Sequence, residues 1–455
     1  MSKNKQTADL GTGSIPKLMV KMAVPAVVAQ VVNLLYNIVD RIYIGQGVGA
    51  LALTGVGLCM PLMMFMNAFA MLAGSGGAPR AAIAMGRGDR NEADKIMSNS
   101  FSLLLLFSVG ITVLYLLAAE PLLLMFGASA DTLPYAMDYM NIISWGSVFT
   151  LLVMGLNPFL TAQGLSTVAM MTTVIGAVTN IVLDPIFIFG LGMGVRGAAL
   201  ATVMSQAVGA LWVTYTLSRS KKSVLKITPA GMKLDPKVFG PSLALGVSGF
   251  VMVATESLLS ISFNSSLQRY GGDLAVGSMT ILTSCIQLAQ MPASGIAQGC
   301  APITSFNFGA GNHDRVKKCF YLQLAVAAGY TVLFWIAAMV MPQVFVQIFN
   351  KDAALVEHTV WAMRIYMAGV FSLGFQLTCQ QSFVALGQAK VSLFMACLRK
   401  LILLIPLIFI LPMFFENKVF AVFLAEPISD IIAALATTGT FFFRFDKILK
   451  EGTLR

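Results

Sequence analysis

Two aspartates stand inside apolar runs. Asp40 belongs to YNIVDRIYIG, which ends a run opening near Leu18, and Asp184 belongs to TNIVLDP. Ionisable side chains in such runs are costly, and by default they mark an ion or proton path. Burial and a nearby like charge both favour the protonated form of a carboxylic acid, which suits a group that must load and release a proton. Reading back from Asp40 at helical spacing gives Asn37, Asn33 and Gln30, with Tyr36 beside them. Such a polar stripe is expected to face a cleft rather than lipid. Asn180 and Asp184 are i and i+4 and share a helix face. Thr202 and Ser205 in the following run, and Tyr139 and Asn157 in the run before, add hydroxyl and amide groups. Pro25, in the first run, removes a backbone hydrogen bond and supplies a place for that helix to bend.

The second half carries different acids. Shifted by 223 residues, Asp40 falls on Phe263 and Asp184 on Leu407, whereas Glu256 takes the place of Asn33. Glu256 is a candidate for a second cation or for a cationic substrate, and Glu426 and Asp430 form another i, i+4 pair. Thr283 and Gln287, from the series Thr280, Thr283, Ser284, Gln287, Gln290 and Ser294, are candidates to line the same cleft.

Other chemistries find little support. Two histidines, His313 and His358, and six scattered cysteines with no C-x-x-C pattern predict neither a metal site nor a disulfide frame. No G-x-x-x-x-G-K-[ST] occurs, and GSGGAPR (Gly74–Arg80) lacks the lysine of a phosphate loop. Small residues there suit close helix packing. With no nucleotide site, no catalytic set and no cofactor expected, uphill movement of a solute would draw on a gradient of H+ or Na+. An aspartyl protease built on Asp40 and Asp184 lacks the flanking G-x-G-D element.

The elements that position these groups follow from composition. Of 455 residues 57% are hydrophobic and 11% charged, against about 25% charged in soluble domains. The natural solvent is therefore a bilayer. Twelve windows are apolar and long enough to span it, from Leu18–Ile44 to Lys418–Phe443. Their unbroken length predicts helices rather than alternating barrel strands. The polar start, MSKNKQTADLGTGSIPK, has no cleavable signal pattern, so the first apolar helix is expected to enter the membrane itself. With the N-terminus inside, 21 of the 30 Lys and Arg fall on the inner side and five on the outer. That bias predicts both termini in the cytoplasm, and it explains the net charge of +10 without nucleic acid.

Near the midpoint lies a charged linker, residues 218–237. Across it, Gly76-Gly77-Ala78-Pro79 shifted by 223 lands on Gly299-Cys300-Ala301-Pro302, and Gly86 and Gly88 land on Gly309 and Gly311. A duplication follows: an N-lobe over 1–217 and a C-lobe over 238–455, each of six helices. An even number of spans gives the halves the same orientation about an axis along the membrane normal.

YNIVDRIYIG with GALALTGVG, the stretch TNIVLDPIFIFGLGMGVRGAALATVMSQ, and AQGCAPITSFNFGAGNHDRV together resemble the MATE family, the multidrug and toxic compound extrusion exporters. The resemblance spans nearly the whole chain. It implies an all-α membrane protein with twelve transmembrane helices in two pseudo-symmetric six-helix bundles. It further implies a central cavity, drug efflux driven by H+ or Na+, organic cationic or amphipathic substrates, and a monomer in the plasma (inner) membrane. By position, Asp40, Asn180, Asp184 and Thr202 resemble the N-lobe cation site, with Tyr139 and Asn157 nearby, and Pro25 resembles the hinge proline. Glu256 matches a glutamate of the sodium-coupled branch, but the tenth span has no acid beyond Glu357 at its edge. A related superfamily of lipid-linked glycan flippases is the alternative. Its members tend towards more spans and a basic cavity, which twelve spans and buried acids do not match.

Overall fold

The computed structural model describes residues 5–452. Lys3 and Arg455, two of the inner-side charges counted above, lie outside them. Among the described residues every regular element is a helix. The first six spans are α1 (Ile15–Gly47), α2 (Leu51–Arg87), α3 (Arg90–Met125), α4 (Leu133–Ala162), α5 (Ser166–Gly190) and α6 (Gly194–Ser218). A 74-residue stretch follows, Pro236–Gly309, in which Gly272 adopts φ 61° and ψ −159°. A side chain would be strained in that backbone, and glycine is not. The stretch is therefore two spans, α7 (236–271) and α8 (273–309), with the turn falling in the gap between the seventh and eighth windows. Spans α9 (His313–Val340), α10 (Ala353–Ala385), α11 (Ala389–Met413) and α12 (Lys418–Glu451) complete twelve.

The turns are chemically specified. Gly88, at φ 83°, closes α2 in a left-handed cap, and the Asp89 side chain then accepts from the Glu92 backbone N–H at 2.9 Å to open α3. The linker is a bound strap. Gln163 Oε1 accepts from Ser223 Oγ (3.0 Å), Val224 N (2.7 Å) and Leu225 N (3.2 Å). Asn99 bonds Gly231 O and Asp235 N, and Asp94 accepts from Lys226 N at 2.7 Å.

Each lobe has its own apolar core, around Leu104, Leu151 and Phe159 in α1–α6 and around Leu282, Met367 and Phe423 in α7–α12. Two side-chain hydrogen bonds repeat at the offset of 223: Asn157 Nδ2 to Ala169 O (3.1 Å) and Gln380 Nε2 to Ser392 O (2.8 Å). Glycines set how the lobes meet. A Cβ on Gly76 would lie 1.9 Å from Ser242 O, and one on Gly246 would lie 2.0 Å from Leu72 O. The related crossing places Gly299 against Ala23 and Met22, and Gly295 against Val27. At the centre, Gly86 meets Phe306 O (2.1 Å) and Gly309 meets Ile83 O (2.0 Å), and these two contacts exchange under the same offset. Small residues let helix backbones touch in this way. All these contacts lie towards the end of the bundle that carries the basic loops, called here the basic end. Arg80 adds a latch there, donating to Val238 O (2.7 Å) and Ser242 Oγ (2.8 Å) across the lobes.

Candidate functional site

Alongside the glycine contacts lies a cavity of about 450 Å3. It is walled by both lobes, and among the described residues lining it none is charged. Gln30, Asn33 and Tyr36 of α1, Asn157 of α4 and Ser205 of α6 line it, as the spacing predicts. Gln298 and Gln380 face it from the C-lobe. Asn157 leaves its side-chain oxygen buried and unpartnered, and Ser205 donates to Thr202 O at 2.7 Å.

Three expected cavity residues do not line it. Asn37 turns back on its own helix, donating to Asn33 O at 2.6 Å. Thr283 and Gln287 lie on the Gln298 side of α8, exposed, and nearer the opposite end. The cavity sits where the lobes converge, and these two residues stand above it. Thr283 bonds Met279 O of its own helix.

The polar stripe of α1 divides between two environments. Ten residues at 100° each leave Asp40 about 80° around the helix from Gln30. Asp40 thus falls within the arc that Gln30, Asn33 and Tyr36 present, but it lies one turn beyond Tyr36 along α1, past the cavity-lining residues, where it is 9% exposed and turned into the N-lobe. There its carboxyl neighbours that of Asp184, which is fully buried on α5. Two buried carboxyls side by side favour a proton on one of them. Asn180 donates to Asp184 Oδ1 (3.3 Å) and lies 3.5 Å from Thr202 Oγ1. Tyr139, 3% exposed, lies beside Thr202. Asp40 Oδ1, Asp184 Oδ2 and Asn180 Oδ1 remain buried without a partner. Tyr36 lies between the two environments, lining the cavity and electrostatically close to both carboxyls. Past Pro185 the helix widens into a π-turn over Ile186–Gly190, a feature frequent at functional sites. Pro25 lies within α1, which runs unbroken from Ile15 to Gly47. Its missing N–H leaves the Lys21 carbonyl without its helical donor.

The C-lobe acids are not free. Arg399, 8% exposed on α11, pairs with Asp430 (2.7 Å) and Glu426 (3.3 Å) of α12. Lys400 pairs with Glu256 of α7 and donates to Met252 O at 2.7 Å. Glu256 therefore holds an internal cation in its carboxylate's reach. Sequence reading placed Arg399 and Lys400 in an apolar window and gave them no partner. The available signal was charge balance: the buried acids Glu426 and Asp430 call for a buried cation on a neighbouring span. At the offset of 223 these two side chains replace Gly176 and Ala177, which line the cavity in the N-lobe. The cavity thus extends into the N-lobe, while α11 carries bulky charges at the equivalent place.

Comparison with known proteins agrees with this architecture. A family model described as MatE matches residues 25–186 and 250–410, one segment in each lobe. The multidrug export protein MepA of Staphylococcus haemolyticus (strain JCSC1435) is 25% identical over 433 residues, covering 95% of either chain. MepA of Staphylococcus aureus (strain N315) is 24% identical over 424 residues, covering 92% of either chain. A multidrug resistance MATE transporter of the MOP superfamily, solved in the outward-facing conformation, gives a TM-score of 0.91 at 25% identity, covering 99% of this chain and 100% of that one. A MATE structure in the bent conformation gives 0.93 at 24% identity over the same shares. Twelve helices in two pseudo-symmetric lobes, a cleft between them and a family match in each lobe lead to one assignment: this chain belongs to the MatE family of multidrug efflux transporters.

Proposed function

We propose that the protein exchanges protons for organic cationic or amphipathic drugs by alternating access. In this reading it works as a monomer in the plasma (inner) membrane, with both termini cytoplasmic and no bound cofactor. The carrying observation is the Asp40–Asp184 carboxyl pair, buried side by side behind Tyr36 at the cavity wall. With one proton the pair keeps one negative charge beside an uncharged cavity, which favours a cation. A second proton removes that charge, and a cationic cargo loses its attraction. Proton and drug then compete for the same charge, which is the condition for exchange. With the basic end cytoplasmic, the glycine contacts close the inner side and the lobes are poised outward. Pro25 gives α1 the place to bend as the pair loads.

The test is drug transport in proteoliposomes with ΔpH and ΔNa+ imposed separately. Asp40→Asn is expected to abolish ΔpH-driven transport, and unchanged transport would sink the role of the pair. Sodium coupling is the second reading. It is favoured by the unpartnered oxygens of Asp40, Asn180 and Asp184, which are hard-cation ligands. Transport that follows ΔNa+ and ignores ΔpH would decide for it.

A further inference from the structure

The charge cluster of the C-lobe is unused by the exchange just described. It holds three acids, Glu256, Glu426 and Asp430, and two cations, Arg399 and Lys400. Its parts divide cleanly. Arg399 is committed to α12, where it bonds both acids and its own carbonyl accepts from Ser429 Oγ at 2.8 Å. Lys400 is committed to α7, where its ammonium meets the Glu256 carboxylate and the Met252 carbonyl. A π-turn over Leu398–Leu404 carries both cations.

Beside Lys400 is a cavity of about 20 Å3, lined by Met252, Gln376, Gln380, Arg399 and Lys400 among others. Gln376 is 7% exposed, and its Oε1 is buried with no partner. A space of this size fits a water or a small ion. Two oxygens meet the ammonium, the Glu256 carboxylate and the Met252 carbonyl, and Gln376, with its Oε1 unpartnered, lines the small space beside it. Oxygen donors of this kind suit a hard monovalent ion. The position is taken instead by an ammonium group on a four-carbon stem.

We propose that Lys400 is a tethered counter-cation that fills a C-lobe cation position formed by Glu256 and Met252 beside the space that Gln376 lines, so that this lobe takes no ion from solution. A tethered amine is present at high effective concentration and does not wash out. The C-lobe charge is then constant through the cycle, and the ion that varies is the one in the N-lobe. The proposal presumes the exchange reading above only in assigning the coupling ion to the N-lobe. Its test measures binding, not transport, so the two fail separately.

The experiment uses purified full-length protein carrying Asp40→Asn, which silences the N-lobe pair. Thermal stability is measured in NaCl against choline chloride at constant ionic strength. The Asp40→Asn protein is expected to ignore Na+. Adding Lys400→Ala, or Lys400→Gln where the alanine variant does not fold, is expected to create a saturable rise of Tm with Na+, and further adding Glu256→Gln is expected to remove it. Two outcomes overturn the proposal. One is a Na+ effect already present with Lys400 intact and abolished by Glu256→Gln. The other is a folded Lys400 variant that gains no Na+ response.

Discussion

Gly246→Ala is the sharpest probe of the lobe contact. A methyl group there would lie 2.0 Å from the Leu72 carbonyl oxygen, 2.7 Å from its carbon and 2.8 Å from its Cα. Ordinary contact begins at 3.4 Å, so the oxygen falls 1.4 Å short. The opposing atoms are backbone in the middle of α2, and no flexible side chain is available to yield. The two helices must part by about that distance, and overpacking of this kind costs about 1–3 kcal/mol. Alanine also raises helix propensity by ~1 kcal/mol over glycine. That gain applies to α7 whether the lobes touch or not, so it does not alter the balance between the two states. At about 1.4 kcal/mol per decade, the population closed at the basic end falls by about 5- to 150-fold relative to the open one. The assay is the distance between spin labels at Arg87→Cys and Lys237→Cys, in a background without the native cysteines. A longer distance and slower drug transport are expected. Gly110→Ala, where nothing lies within 4 Å of the added carbon, is the matched control. An unchanged distance distribution with wild-type transport would refute a backbone-to-backbone contact at this crossing.

Three further perturbations have defined outcomes. Gly176→Leu directs a side chain into the cavity, since an added Cβ there meets only Ser205 O at 3.7 Å; folding is expected to persist and drug affinity, read by fluorescence titration, to fall. Gln163→Ala removes one oxygen that serves three donors of the strap, costing about 1–3 kcal/mol for the groups left unpaired. Hydrogen exchange across residues 220–226 should rise sharply, and exchange at the wild-type rate would show that the strap is held elsewhere. Asp430→Ala leaves the buried Arg399 guanidinium with Glu426 alone, and breaking one side of a buried pair costs about 3–5 kcal/mol. A large fall in Tm is expected, and the triple variant Asp430→Ala, Glu426→Gln, Arg399→Met, which leaves no buried charge unpaired, should recover much of it; a single variant with wild-type Tm would contradict the pairing.

The sequence by itself determined the solvent, the number of spans and the repeat. Bilayer thickness fixes the length of an apolar helix, and helices satisfy their backbone hydrogen bonds within themselves, so the twelve windows were legible without tertiary contacts. The offset of 223 was legible for a related reason. Glycines are retained where two backbones must touch, and Gly76, Gly86, Gly299 and Gly309 mark those places in both halves. The two N-lobe aspartates were legible because a carboxylate is conspicuous in an apolar run. What only the tertiary structure decided was direction and partnership. Helical spacing grouped Asp40 with Gln30, yet Asp40 lies further along α1 than the cavity-lining residues and neighbours Asp184 instead. Spacing also grouped Asn37, Thr283 and Gln287 with the cavity, because it gives a face of one helix but not the depth at which two lobes converge. Lys400 shows the limit most plainly. Glu256 and Lys400 are 144 residues apart on different spans, and no local pattern joins them. Charge balance demands a partner for each, and only packing selects which one.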